Sequence, residues 1–257
     1  MYYSRSLEYI VGNYSSNYSA NVSYFSKIID DNYGFIKEGP IFEASYARKA
    51  NIANSQYKNQ QYTTYDLEHS FTPEIFLSPE RPKTKFVDTE QIKGFVGEAF
   101  EAMMKQKLPK DIFINILHFN EFKALHSGFG AWSNGILGFS INGQKKEIFA
   151  RENNVDELMI VIGHEIGHVL TGTLPNRHDE EAKAFAFSIE WAKTIKKHNI
   201  ANLKFSIKDE IDLKPARNGL HDVAFAFVDF MVKRGRKAID LHDDLIKSYA
   251  SIFNKLY

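Results

Sequence analysis

Residues 154–169, NVDELMIVIGHEIGHV, decide the fold, because they combine a strong helical pattern with a paired-histidine motif. One apolar stripe of a helix is formed by Leu158, Met159, Ile162, Ile166 and Val169. Asn154 is a candidate N-cap, Glu157 stands three residues later as in a capping box, and Gly172 is a candidate C-cap. The pattern predicts an amphipathic helix packed against the rest of a domain.

The histidine pair predicts a metal site on this helix. His164 and His168 are four residues apart, so both imidazoles project from one helical face. This spacing allows two ring nitrogens to bind one Zn²⁺ at about 2.0–2.1 Å. Glu165 would lie beside the metal, where its carboxylate can activate a zinc-bound water and carry the proton to a leaving amine.

Two glycines stand within the same helix. Gly163 and Gly167 flank the histidines, although glycine costs about 1 kcal/mol relative to alanine in a helix interior. Close approach of another segment to the metal would explain both glycines.

The third metal ligand is expected at the start of a second helix, predicted from about Glu180 to His198. The candidates there are His178, Asp179, Glu180 and Glu181. Glu181 shares a face with Phe185, Ile189 and Ala192, so we favour it, with Glu180 as the next choice because its own face is nearly as apolar.

The motif and the start of the second helix resemble the zincin metallopeptidases of the gluzincin type. The resemblance rests on His164-Glu165-Ile166-Gly167-His168, followed by Glu181-Ala182-Lys183-Ala184-Phe185. In that group a Glu on the following helix is the third ligand, often with a small residue three positions on, and Glu181 and Ala184 match this pattern. The minigluzincin, lethal-factor-like and regulator-cleaving branches are the most similar, and the last of these leaves Asp179 open as the ligand. Phe185 stands where many gluzincins have Asp or Asn.

The resemblance implies a zinc-dependent metallopeptidase that hydrolyses peptide bonds of a peptide or protein substrate. It also implies an edge strand that binds the substrate in extended form, either Lys146–Ala150 or Gly135–Ile141. From the residues, His221 is the first candidate for a second catalytic group that stabilises the oxyanion, and a tyrosine of the N-terminal extension is another. The alternative function is a non-catalytic binding or regulatory module with a structural or vestigial zinc site.

The rest of the chain from residue 85 predicts an α+β domain, with a small mixed sheet, a hairpin and C-terminal helices around the motif helix. Strands are expected over Asp111–Phe119, Gly135–Ile141 and Lys145–Ala150, with a tight turn at Asn142-Gly143. Further helices are expected over Thr89–Lys107, Glu121–His126, Asp222–Arg234 and Leu241–Leu256. This architecture is zincin-like.

Residues 1–84 are predicted to be a separate extension, because 11 of the 13 tyrosines lie there among many Ser and Asn. We expect a pro-segment or a partner-binding segment, and a metallopeptidase domain over residues 85–257. Lys+Arg and Asp+Glu both number 32, which argues against a nucleic-acid binder. The chain has no cysteine, no apparent secretory signal and no apolar run long enough to span a membrane, so we expect a cytoplasmic protein.

Overall fold

The computed structural model of the 257-residue chain describes residues 71–86, 88–143, 145–211 and 219–253. The chain divides into two compact units, one of residues 62–250 and one of residues 1–61 with 251–257. The helices and strands of the described residues belong to the first unit. The predicted extension lies outside the described residues except for its last 14, residues 71–84, so its role stays a prediction.

The described part of the chain is α+β, as the sequence predicts, with six α-helices and a three-stranded sheet. In chain order its elements are α1 Thr89–Met104, β1 Ile112–Leu117, α2 Phe119–His126, β2 Gly138–Asn142, β3 Lys146–Arg151, α3 Val155–Val169, α4 Arg177–His198, α5 Gly219–Lys233 and α6 Ala238–Ile246, with short 3₁₀ helices at Pro73–Ile75 and Ile200–Asn202.

The sheet is mixed and has the order β1-β3-β2. The predicted hairpin joins β2 to β3 in antiparallel register, with Phe139 opposite Phe149. On its other side β3 pairs in parallel with β1, where Ile114 lies opposite Ile148. The alternative that placed the substrate-binding edge at Lys146–Ala150 is therefore wrong, because those residues form the central strand. Of the other alternative, Gly135–Ile141, only the part from Gly138 is strand, and it lies at the sheet edge.

Helix α3 forms the centre of the domain, packed against β2 and β3 on one face and against α4 on another. Every residue of α3 except His168 is buried, so this helix is enclosed on all sides rather than along one stripe. Segment 71–86 also packs against α3. Its Arg81 forms ion pairs with Asp156 and, at 2.9 Å, with Glu157 in the first turn of the helix.

The predicted N-cap position of α3 is confirmed, but the predicted capping contacts and the C-cap are wrong. Asn154 occupies the N-cap position, but its side chain makes no cap hydrogen bond. Glu157 does not close a capping box, because its carboxylate accepts hydrogen bonds from Arg81 and Asn153. The helix ends at Val169, before Gly172, whose carbonyl oxygen accepts a hydrogen bond from Lys183 at 3.2 Å.

The two glycines of α3 are explained by the close approach of α4. A Cβ at Gly163 would lie 2.3 Å from Cδ1 of Trp191, and one at Gly167 would lie 2.9 Å from Cα of Ala184. The sequence predicted a close approach, and the approaching segment is the second helix.

Other helix boundaries also differ from those predicted. Helix α1 ends at Met104 instead of Lys107, α2 begins at Phe119 instead of Glu121, and α5 begins at Gly219 instead of Asp222. Helix α4 begins at Arg177, three residues early, because the Asn176 side chain caps it by accepting from the backbone N–H of His178 at 2.9 Å. Helix α6 ends at Ile246 instead of Leu256. The left-handed backbone of Ser248, with φ 60°, ends it, and residues 254–256 of the prediction lie outside the described residues.

Candidate metal centre

Three helices bring the candidate site residues together. Helix α3 carries His164, Glu165 and His168, the first turns of α4 carry Glu181, and the first turn of α5 carries His221. Helix α4 packs against both α3 and α5, so residues far apart in sequence meet along its N-terminal half.

One carboxylate oxygen lies at the centre of the group. Oε2 of Glu181 is 3.5 Å from Nε2 of His164, 3.7 Å from Nε2 of His168 and 3.2 Å from Nε2 of His221. The donor atoms of His164, Glu181 and His221 all lie within 4.8 Å of one another, the one such group in the described residues. His168 lies outside this trio but is close to its shared carboxylate.

Hydrogen bonds on Nδ1 orient both histidines of the motif. The Ser188 hydroxyl donates its hydrogen to the carbonyl oxygen of Ala184 at 2.7 Å. Its oxygen therefore accepts a hydrogen bond from Nδ1–H of His164, at 3.2 Å. Nδ1–H of His168 donates to Oε1 of Glu180 at 2.8 Å. In their neutral forms both rings therefore direct an Nε2 lone pair toward the site, the arrangement typical of metal-binding histidines.

These residues fit a divalent cation. Oε2 of Glu181 is buried, and the Nε2 atoms of His164 and His168 lie 3.5 and 3.7 Å from it. Lone pairs directed at a carboxylate repel it unless a proton or a cation lies between them. Imidazole and carboxylate are Zn²⁺ ligands, and tetrahedral bonds of about 2.0–2.1 Å place neighbouring donors about 3.3–3.4 Å apart. The observed separations of 3.2–3.7 Å are close to this value.

Burial and charge shift the pKa values of these groups in opposite directions. Burial lowers the pKa of His164 to about 4, so this ring is neutral, as a metal ligand must be. Burial also opposes the charged form of His168, but the Glu181 carboxylate and then the hydrogen bond to Glu180 outweigh burial and raise its pKa to about 9. For Glu181, burial is outweighed by the charges of His221 and His168, which hold its pKa well below its usual range.

Glu165 lies between α3 and β2 and is 5% exposed. Burial raises the pKa of its carboxyl group, although the charge of His168 and a hydrogen bond from the Ser140 hydroxyl oppose the shift. Gly138 of β2 faces it, since a Cβ there would lie 3.2 Å from Oε1 of Glu165. The carboxylate therefore lies between α3 and the sheet edge.

Of the four candidates for the third ligand, the structure brings Glu181 to the Nε2 atoms of His164 and His168. Both oxygens of Glu180 are occupied elsewhere, Oε1 by His168 and Oε2 by Lys183 at 2.9 Å and by the N–H of Leu174 at 2.7 Å. His178 and Asp179 are not part of the converging group.

Sequence reasoning missed several residues around the site. Lys183 is fully buried and donates to the carbonyl oxygens of His168 and Gly172, and its only sequence signal is a cation in the apolar stretch 182–187. Ser188 carries no signal of its own. The Phe71 ring stacks on His164 with centroids 4.0 Å apart, and Phe185, where a polar group is common in gluzincins, packs 5.0 Å from the same ring.

No family model, curated protein or solved structure matches this chain. The resemblance to the zincins therefore rests on the motif residues and stays a prediction. Among the helices of the described residues, none has both the length and the apolar character needed to cross a membrane.

Proposed function

We propose that the protein is a zinc-dependent metallopeptidase. The observation that carries the proposal is the convergence of His164 and His168 on the Glu181 carboxylate, with Glu165 buried beside them. When bound, Zn²⁺ would polarise a peptide carbonyl and make a water molecule more acidic. His164, His168 and Glu181 would hold it.

Glu165 would act as the proton carrier. Burial raises the pKa of its carboxyl group toward neutral pH, where the group both accepts and releases a proton readily. It would accept a proton from the attacking water and deliver it to the leaving amine. The hydrogen bond from Ser140 orients the carboxylate, and burial between α3 and β2 keeps bulk water away from it.

The substrate would be a peptide in extended form, bound along β2. In the described part of the chain, β2 pairs with β3 alone, so its second edge offers backbone N–H and C=O groups for strand addition. Gly138 lies on this strand next to Glu165. A peptide added along β2 would therefore pass beside the proton carrier.

The test compares Glu165→Gln with wild type and with Glu190→Gln, a partly exposed carboxylate on α4. Glu165→Gln should bind one equivalent of zinc as wild type does, but its turnover of a broad peptide mixture should fall by about 10²–10⁴-fold. Glu190→Gln should retain both properties. Full activity of Glu165→Gln would show that the proposed mechanism is wrong.

His221 favours a second candidate, a binding or regulatory module whose zinc is structural. Its Nε2 is 3.2 Å from Oε2 of Glu181, so four protein side chains are available to one ion, and structural zinc sites are closed by four protein ligands. Stoichiometric zinc without cleavage of any peptide by the wild-type chain would support this candidate.

A further inference from the structure

We infer that His221 is a fourth protein donor to the cation held by His164, His168 and Glu181. The cation belongs to the proposed function, but the assignment of His221 as its ligand goes beyond it. The sequence suggested a different task for His221, stabilisation of the oxyanion, in which the ring would contact substrate and not the metal.

The positions of the donor atoms carry the inference. Nε2 of His221 is closer to Oε2 of Glu181, at 3.2 Å, than is Nε2 of His164 at 3.5 Å or His168 at 3.7 Å. His221 also belongs to the trio of mutually close donor atoms, which His168 does not. Judged by the distance from Oε2 of Glu181, His221 is placed to bind the cation at least as well as His164 and His168.

His221 and Glu181 are in direct contact, with Nε2 of the ring 3.2 Å from Oε2 of the carboxylate. Without a cation, a proton on Nε2 can bridge the two groups as a hydrogen bond. A cation bound by both groups takes the place of that proton, because metal binding to imidazole displaces protons.

The His221 ring is also held in place by packing. It is 8% exposed and lies edge-on to Phe185, with ring centroids 5.9 Å apart. Phe185 in turn packs on His164, so one aromatic side chain supports two of the donors. An aromatic residue at position 185, where many gluzincins have Asp or Asn, is consistent with this supporting role.

A fourth donor closes the coordination shell by protein side chains alone. Water or a substrate carbonyl would then bind as a fifth ligand or take the place of His221, since catalytic zinc can expand to five-coordinate.

X-ray absorption at the zinc edge of the full-length chain, loaded with one equivalent of Zn²⁺, counts the bound imidazoles. His221→Phe keeps an aromatic ring against Phe185 but removes the donor, and His198→Ala removes an exposed histidine as the matched control. We expect three imidazoles in wild type and in His198→Ala, and two in His221→Phe. Chelator competition should show zinc binding weakened on the order of 100-fold in His221→Phe, since several donors share the binding free energy.

Two imidazoles in the wild-type protein, or equal zinc affinity of wild type and a folded His221→Phe, would overturn the inference. Circular dichroism shows whether the variant folds, and the wild-type count stands without it. Three imidazoles in a chain that cleaves no peptide would support His221 as ligand and remove the peptidase proposal. Two imidazoles with cleavage that depends on Glu165 would do the reverse.

Discussion

Replacement of Gly163 by alanine tests the packing that assembles the site. The added Cβ would lie 2.3 Å from Cδ1 and 2.4 Å from Nε1 of Trp191. The indole is fully buried, and its Nε1–H donates to the carbonyl oxygen of Met159 at 2.8 Å. To reach ordinary van der Waals contact the ring must retreat by about 1 Å, which breaks this hydrogen bond or separates α3 from α4.

The expected loss of stability is the sum of three effects. Overpacking of a filled core costs about 1–3 kcal/mol. A buried N–H left without its acceptor costs about 1–3 kcal/mol. Alanine is favoured over glycine in a helix by about 1 kcal/mol, which offsets part of the cost. We therefore expect Gly163→Ala to lower the free energy of unfolding by about 1–5 kcal/mol.

Urea denaturation followed by circular dichroism measures this change, with Gly97→Ala as the matched control. Gly97 lies within α1, and a Cβ there meets no atom within 4 Å. The same substitution should stabilise the protein at this position by about 0.5–1 kcal/mol. Gly163→Ala that is as stable as wild type, beside a stabilised Gly97→Ala, would refute the close packing of α3 and α4 as the basis of the site.

Two further substitutions test the surroundings of the site. Glu180→Gln should weaken zinc binding by about 10–100-fold, because His168 loses the anionic acceptor on Nδ1; chelator competition measures it, and affinity equal to that of Glu190→Gln would contradict the role. His242 is 1% exposed, and burial together with the charge of Lys183 lowers its pKa from 6.5, despite the hydrogen bond to Asp243 and the charges of Asp243 and Glu180. Its folded-state pKa lies below the unfolded value, so the unfolded chain binds the proton more readily, and the stability present above pH 6.5 is lost as pH falls through this range. His242→Gln should therefore lose less stability than wild type between about pH 7 and pH 5 in urea denaturation, whereas the exposed His198→Gln should follow wild type; identical curves for His242→Gln and wild type would exclude this effect.

Features that depend on neighbouring residues could be predicted from the sequence. The helix of the motif, the common face of His164 and His168, the β2–β3 hairpin and the α+β class all result from spacings of a few residues. Local backbone geometry sets the helical and strand periods, so the spacing of apolar residues in the sequence indicates which element forms. The two glycines of α3 likewise indicated that some segment approaches closely.

Features that depend on how elements pack were decided by the tertiary structure. The parallel pairing of β1 made β3 central, and Arg81, 76 residues away in sequence, took the carboxylate expected to cap α3. Glu180 and Glu181 are adjacent on α4 and differ by about 100° of rotation. The crossing of α4 over α3 decides which of them meets the Nε2 atoms of the histidines and which meets Nδ1 of His168. The same crossing, with the packing of α5, brings Ser188 and His221 to the site. A sequence period specifies which side chains share a face, but not which other face they meet, because contacts between distant segments depend on the packing of the whole chain.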